Sequence, residues 1–347
     1  MRVKALALDA VGGLEHLALR RLPPPEPAAP DDVRVRIHAA ALNRLDLFVA
    51  DGLPGVTYQF PHIVGSDGAG VVESVGAAVR GVRVGDRVMI NPGVSCGACP
   101  ACAADEASLC DRFRVVGEHR PGTLAELVVV PERNLAPVPP DMSWAEAAAF
   151  PLATLTAWRM LTTRARLQPG ETVLIWGIGG GVALAALQVV RHLGGRAIVT
   201  SGSDAKLEAA RRLGADHTVN HTTADVVAEV RGLTVRRGAD VVVDSIGQAR
   251  WQDSLRAMRR GGRLVICGAT SGPMIELDLR RLFWHQWSIL GSTLGSDREF
   301  REVVALAHQG RLRPVVDTVV PLERAGEAFA RLQRGDQMGK LVIEVAP

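Results

Sequence analysis

Cys96, Cys99, Cys102 and Cys110 follow the spacing C-x2-C-x2-C-x7-C. Four thiolates so close on one flexible loop suit tetrahedral zinc. With all four positions taken by protein, none stays open for water, so the spacing implies a structural ion that pins a loop with little apolar core of its own. An iron–sulfur cluster takes the same four thiolates and is the alternative. The fifth cysteine, Cys267, stands alone at the end of an apolar run and reads as inert core.

The second chemical signal is Leu174-Ile175-Trp176-Gly177-Ile178-Gly179-Gly180-Gly181-Val182-Ala183-Leu184. An apolar run from Thr172 to Trp176 enters the glycines, and Val182, Ala185, Ala186, Val189, Val190 and Leu193 follow at helical spacing before Gly194-Gly195. This is buried strand, tight turn, helix. Glycines let the backbone approach a pyrophosphate, and a helix N-terminus offers it free N–H groups and partial positive charge. Gly177, Gly179, Gly180, Gly181 and Val182 are the expected contacts.

The elements that must position these residues fall into two patterns. Up to about residue 150 the chain is glycine-punctuated and rich in strands, as a small barrel is: Val33, Val35 and Ile37 alternate with Arg34, Arg36 and His38, and Val71–Val75 and Arg87–Ile90 each adjoin a glycine turn. A short helix is expected within 39–50, carrying Asn43, Arg44 and Asp46. Strand 127–130, an alanine-rich helix 144–150 and a linking helix from Leu155 follow. From Glu171 strands and helices alternate: strands at 172–176, 197–200, 217–219, 240–244, 263–267 and 287–291, with helices at 180–193, 204–213 and near 251–260. Six strands are the count of a doubly wound nucleotide fold. Ser296 to Glu299 spells a capping box for a helix to Gln309. The tail, with strands at 315–320 and 341–345 around a helix near 322–334, is expected to return to the first domain.

Bulk composition excludes other classes. The 347 residues are 47% hydrophobic and 22% charged with a net charge of +3, an ordinary globular balance without the basic excess of a nucleic-acid binder. No apolar run reaches membrane-span length. Met1-Arg2-Val3-Lys4 leads straight into a strand pattern with no signal-peptide core, so a cytoplasmic location is expected, and there a cysteine cluster argues for metal over disulfides.

With Gly65–Gly76, Gly85-Asp86-Arg87-Val88, the four cysteines and Gly177–Ala183, the chain resembles the medium-chain dehydrogenase/reductase superfamily over nearly its whole length. The resemblance implies an α/β fold: a Rossmann doubly wound parallel sheet plus a GroES-like β-rich catalytic domain. The expected domains are 1–153 (zinc lobe about 92–113), 154–296 for the nucleotide, and 297–347 returning. It also implies a structural zinc and homodimers or homotetramers.

The chain departs from the zinc alcohol dehydrogenases of that superfamily where they hold catalytic zinc. Their cysteine, hydroxyl residue and aspartate fall on Asn43, Leu45 and Asp46. Their glycine-histidine-glutamate is Gly65-Ser66-Asp67, and their third ligand falls near Leu152. Asparagine, serine and leucine make a poor zinc site, and His62 with Asp67 does not complete one. Without a Lewis acid, alcohol oxidation loses its alkoxide stabiliser, whereas reduction of a C=C beside a carbonyl, or of a quinone, demands less. The zinc-free quinone and enoyl reductases of the superfamily are similar to this arrangement. Asn43, Asp46 and Asp67 are therefore the expected catalytic constellation. Asn43 is read as an oxygen-positioning donor or as a helix cap, and Asp46 as its orienting group or a buried ion-pair partner. His119 is a proton-donor candidate or a loop histidine. Leu45, Phe48, Leu152 and Phe283 suggest an apolar cleft, or simply core.

Thr156 matches the family residue that contacts the nicotinamide. Ser201 occupies the place of the acid that binds ribose in NAD-specific members. With Ser203 and Lys206 it leaves room and donors for a 2′-phosphate, which favours NADP, with NAD possible. Ser245, Ile246, Gly268 and Ala269 sit at strand C-termini and complete the expected cofactor contacts. The expectation is an NADP-dependent reductase of an α,β-unsaturated carbonyl or quinone, with one structural zinc per chain and small-molecule substrates. The alternatives are an alcohol dehydrogenase with atypical ligands and a weakly catalytic NADP-binding sensor or scaffold.

Overall fold

The computed structural model describes residues 2–346. The chain divides into two compact units: one runs through Leu152 and resumes at Gly295, and the other is Ala153–Leu294.

The first unit is built on a seven-stranded sheet. Its order is Leu135–Pro137, Arg87–Ile90, Asp67–Val75, Asp32–Ala41, Lys340–Glu344 and Val316–Pro321, with Leu127–Pro131 also pairing to Asp32–Ala41. Asp32–Ala41 alternates as its sequence suggests: Val33, Val35 and Ile37 are fully buried in the core. This strand extends to Ala41, so the helix expected from residue 39 begins only at Arg44 and ends at Asp51. The C-terminal strand Lys340–Glu344 lies antiparallel to it, with Val342 opposite Ala41, and Asp67 faces Ala41 from the other side. That register gathers residues from three distant stretches of sequence.

Close packing of this sheet explains one glycine. A Cβ added at Gly70 would stand 1.9 Å from the carbonyl oxygen of Arg36 on the neighbouring strand. The backbones meet there, with no flexible side chain to yield.

The second unit holds a six-stranded sheet, all parallel, in the order His217–Asn220, Arg196–Ser201, Thr172–Ile175, Ala239–Asp244, Met258–Ile266 and Ser288–Gly291. Counted along the chain this is the order 3-2-1-4-5-6, the doubly wound nucleotide fold. The inner strands are buried on both faces, as their unbroken Val/Ile/Leu runs require. The helix expected to reach residue 260 stops at Ala257, because Met258 already belongs to the next strand. Two helices not anticipated are present, Val226–Leu233 and Leu279–His285. The capping box at Ser296 and Glu299 is formed: each residue's side chain accepts from the other's backbone N–H. Among the described residues no helix is long and apolar enough to cross a membrane.

Substituting Gly70→Ala is expected to cost about 1–3 kcal/mol or more through overpacking against rigid backbone, whereas Gly85→Ala, whose added Cβ meets nothing within 4 Å, pays only the left-handed backbone penalty. Urea unfolding of the two variants checks the difference.

Candidate functional site

The cysteine lobe closes on itself. The ligand sulfurs of Cys96, Cys99, Cys102 and Cys110 all lie within 4.8 Å of one another. Zinc–sulfur bonds of about 2.3 Å place tetrahedral ligands about 3.8 Å apart, and Cys96 Sγ lies 3.8 Å and Cys99 Sγ 3.5 Å from Cys102 Sγ. The backbone N–H groups of Ala98 and Cys99 donate to Cys96 Sγ at 3.5 and 3.3 Å. Those N–H bonds lower the Cys96 thiol to about 5, which favours the thiolate a metal needs. Gly97 supplies the left-handed turn between them. The Arg133 guanidinium braces the lobe by donating to Ser95 O. The four residues fit zinc.

The glycine turn lies in the second unit. Gly177 and Gly179 have φ of 69° and 131°, accessible at low cost only to glycine. Gly180 is an extended N-cap, and the helix Gly181–His192 starts behind it with no side-chain cap, so the first-turn N–H groups are available to an anion. A Cβ at Gly180 would meet nothing closer than 4.0 Å. Thr200, not anticipated from sequence, pins the turn: its carbonyl accepts from Ile178 N at 2.7 Å and its hydroxyl from Gly177 N at 3.2 Å.

Several of the expected cofactor residues come together here. Ile246 side-chain carbon would lie 3.4 Å from a Cβ on Gly177, and Ser245 O 3.1 Å from one on Gly268. Thr270 Oγ1 donates to Ser245 O and Ser271 Oγ to Ile246 O, at 3.0 and 2.7 Å, lacing these two strand-end loops together beside Ala269. A buried relay sets their height: Trp176 Nε1 donates to Ser254 Oγ, which donates to Asp244 Oδ2, while Asp244 Oδ1 accepts from Ile246 N and Gly247 N. Ser201 ends its strand buried, and its hydroxyl accepts from Ser203 N. Ser203 caps the next helix by accepting from Lys206 N, and Asp204 accepts from Asn220 Nδ2. Thr156 is buried on the helix Pro151–Arg159. Val182 lies in the first turn of the helix after the glycines. The glycine turn, its helix start and the strand-end loops fit a dinucleotide.

Asn43, Asp46 and Asp67 are brought together in the first unit, with a member the sequence reading missed, Lys340. The Lys340 ammonium is buried and donates to Asp67 Oδ2 at 2.8 Å and to Asn43 Oδ1. Asn43 Nδ2 donates to Asp67 Oδ2 at 2.9 Å and weakly to Ala41 O at 3.4 Å. Leu152 N donates to Asp67 Oδ1 at 2.8 Å. The Asn43 amide is thus engaged at both its oxygen and its nitrogen rather than presented as a free donor. Asp46 lies in the first turn of the helix that Asn43 caps: Oδ2 accepts from Asn43 N at 2.7 Å, while Oδ1 has no partner among the described residues. Burial pushes the Asp46 carboxyl up to about 7, against the pull of the Asn43 N–H and the Lys340 charge. This donor set does not fit a catalytic zinc: Leu152 offers only backbone, Asn43 and Asp67 are consumed, and an ammonium already sits among them.

The remaining candidates are structural in their contacts. His62 shares a 3.0 Å hydrogen bond with Gly117 O and packs edge-on against Tyr58. His119 Nδ1 accepts from Val115 N at 3.2 Å. Burial holds both imidazoles below the usual histidine range. Leu45 packs against the core and Leu152 is buried, but Phe283 is 68% exposed on its helix and is not core.

The chain is similar to dehydrogenases of known sequence and structure. A family model described as an alcohol dehydrogenase GroES-like domain matches residues 29–140, and one described as zinc-binding dehydrogenase matches 181–309. A zinc-type alcohol dehydrogenase-like protein of Schizosaccharomyces pombe is 31% identical, with 99% of this chain and all of the relative covered. A crystal structure of an NAD-dependent alcohol dehydrogenase is 46% identical at a TM-score of 0.94, covering 99% of this chain and 100% of that one. A 2-octenoyl-CoA carboxylase reductase, solved with NADP and 2-octenoyl-CoA, is 31% identical at a TM-score of 0.90, covering 99% and 87%.

The Asp46 carboxyl gives a pH signature. Between its ordinary 3.8 and the folded value of about 7 the folded chain holds a proton that the unfolded chain has released. Stability is therefore greatest at low pH in this window and falls as pH rises, by up to about 1.4 kcal/mol per unit from this group. Asp46→Asn should remove that slope, gaining on the unmodified protein between about pH 4 and about pH 7 in urea unfolding.

Proposed function

The chain belongs to the medium-chain dehydrogenase/reductase superfamily, zinc-type and alcohol dehydrogenase-like, and from that premise we propose that it is an NADP-dependent reductase of α,β-unsaturated carbonyl compounds or quinones, carrying one structural zinc at Cys96, Cys99, Cys102 and Cys110. The observation that carries this reading is the Lys340–Asp67–Asn43 cluster, which fills with an ion pair the place where the zinc alcohol dehydrogenases of the superfamily hold their metal. A reaction that needs no alkoxide bound to metal suits such a site.

The glycine turn and the first turn of Gly181–His192 would hold the pyrophosphate of a dinucleotide. Thr156, Ser245, Ile246, Gly268 and Ala269 would serve the nicotinamide end, and Ser201, Ser203 and Lys206 would receive the ribose with its 2′-phosphate. A reduced nicotinamide held there would supply the hydride for the β-carbon of an enone. The negative charge then builds on the carbonyl oxygen, and a proton from water completes the α-carbon. Asp67 holds the Lys340 ammonium in place in the first-unit site through their 2.8 Å ion pair. Asp46 fixes the Asn43 backbone.

The carboxylase reductase supports this reading by the NADP and 2-octenoyl-CoA it was solved with. The name of the 46% identical structure favours a second one, alcohol oxidation with NAD; the donor set around Lys340 argues against it. As partner we propose a second copy of the chain. The strand Ser288–Gly291 is an edge of its sheet, and Leu279, Phe283 and Trp284 stand about two-thirds exposed on the helix before it.

A panel of enones, quinones, alcohols and aldehydes, each run with NADPH or NADH (oxidised forms for alcohols), tests the function. Enone or quinone reduction with NADPH should exceed alcohol turnover, and NADPH should bind at least about tenfold more tightly than NADH, a difference of about 1.4 kcal/mol. Good alcohol turnover with NAD and none on enones or quinones would sink the reading.

A further inference from the structure

Building on the proposed use of NADP, we propose that Arg250 and His221, which follow the fourth and third strands of the second unit's sheet, receive the cofactor's 2′-phosphate and set its preference over NAD. All the residues concerned belong to that one unit.

The end of the strand Arg196–Ser201 lies between them. On one side Asn220 pairs with Ser201, and His221 N donates to Ser201 O at 3.0 Å. The imidazole lies against Gly202: a Cβ added there would stand 3.3 Å from His221 Nε2. On the other side is Thr172–Ile175, and Trp176 at its end carries the Arg250 guanidinium 5.4 Å from its ring centroid. Burial first, and then the Arg250 charge, hold the His221 imidazole below the usual histidine range, so the two side chains are electrostatic neighbours.

Both are held in place with donors to spare. Gln248 N donates to Gly272 O at 3.2 Å and Ala249 N to Ser271 Oγ at 2.9 Å, which fixes the turn leading into Arg250. Trp176 beneath it is anchored on Ser254 Oγ at 2.9 Å. The guanidinium is 28% exposed and meets Asp253 only loosely, at 3.5 Å. His221 is partly exposed, and its Nδ1 has no hydrogen-bond partner among the described residues.

The strand end carries no acid of its own. Ser201 stands where a carboxylate would bind ribose hydroxyls and repel a phosphate. Asp204, the acid on the loop beyond, accepts from Asn220 Nδ2 at 2.7 Å. A guanidinium takes a phosphate through two parallel N–H groups, and a neutral imidazole adds one more.

The test measures binding of adenosine 2′,5′-bisphosphate and of adenosine 5′-monophosphate to the full chain by calorimetry. The two differ only in the 2′-phosphate, and neither requires turnover. The unmodified chain should bind the bisphosphate at least about tenfold more tightly. Arg250→Gln should cut that preference about tenfold and His221→Gln about threefold, with monophosphate affinity unchanged. Arg250→Lys, which keeps the charge and loses the fork, should fall between Arg250→Gln and the unmodified chain. A preference unchanged in both glutamine variants gives the phosphate to Ser203 and Lys206, and overturns this assignment alone. Equal loss of both ligands makes the pair a support for adenosine or for packing, and also overturns it. An unmodified chain with no preference overturns the NADP reading, and this assignment with it.

Discussion

The ion pair between Lys340 and Asp67 is the constraint on which the first-unit site depends. Both side chains are almost wholly buried, and the separation is 2.8 Å. A pair of this kind contributes little net stability compared with well-packed apolar residues, but losing one partner leaves a buried charge uncompensated, at about 3–5 kcal/mol. The rest of the site is arranged so that neither charge is left alone. Asn43 bridges the two, Leu152 N–H satisfies the far carboxylate oxygen, and the sheet register places Val342, two residues after Lys340, and Asp67 on either side of Ala41. Once the pair is formed, the ligand types that a catalytic metal needs are engaged, and among the described residues Ser66 Oγ and Asp46 Oδ1 are left without a partner.

Elsewhere the chain separates its tasks. Metal chemistry is confined to the cysteine lobe, where N–H groups and a bracing arginine hold four sulfurs at tetrahedral spacing. Cofactor recognition is confined to a parallel sheet whose loops are tied by backbone and by the Trp176–Ser254–Asp244 relay. Neither depends on the ion pair.

What the sequence made legible was local. Cysteine spacing, the glycine turn between strand and helix, the strand–helix alternation and the Ser296 capping box each lie within a few residues, where spacing and propensity speak directly. Lys340 was not legible as a site residue, because it lies 273 positions from Asp67 and meets it only through strand register. Its one local sign is a charge opening the otherwise apolar strand Leu341-Val342-Ile343. Asn43 was singled out correctly as part of a constellation, but its role depended on partners that no spacing rule supplies. The helix Leu279–His285 escaped notice because its large apolar residues face outward, which gives no core-facing period to read. Phe283 misled for the same reason.

The central claim, an ion pair in place of a catalytic metal and zinc only at the cysteines, is tested most directly by zinc per chain in protein purified without added metal, measured for the unmodified chain and for Cys99→Ser. The account predicts one zinc in the first and none retained in the second. Two zincs in the unmodified chain, or one that survives Cys99→Ser, would mean that the Lys340–Asp67 cluster opens to bind metal, and would contradict it.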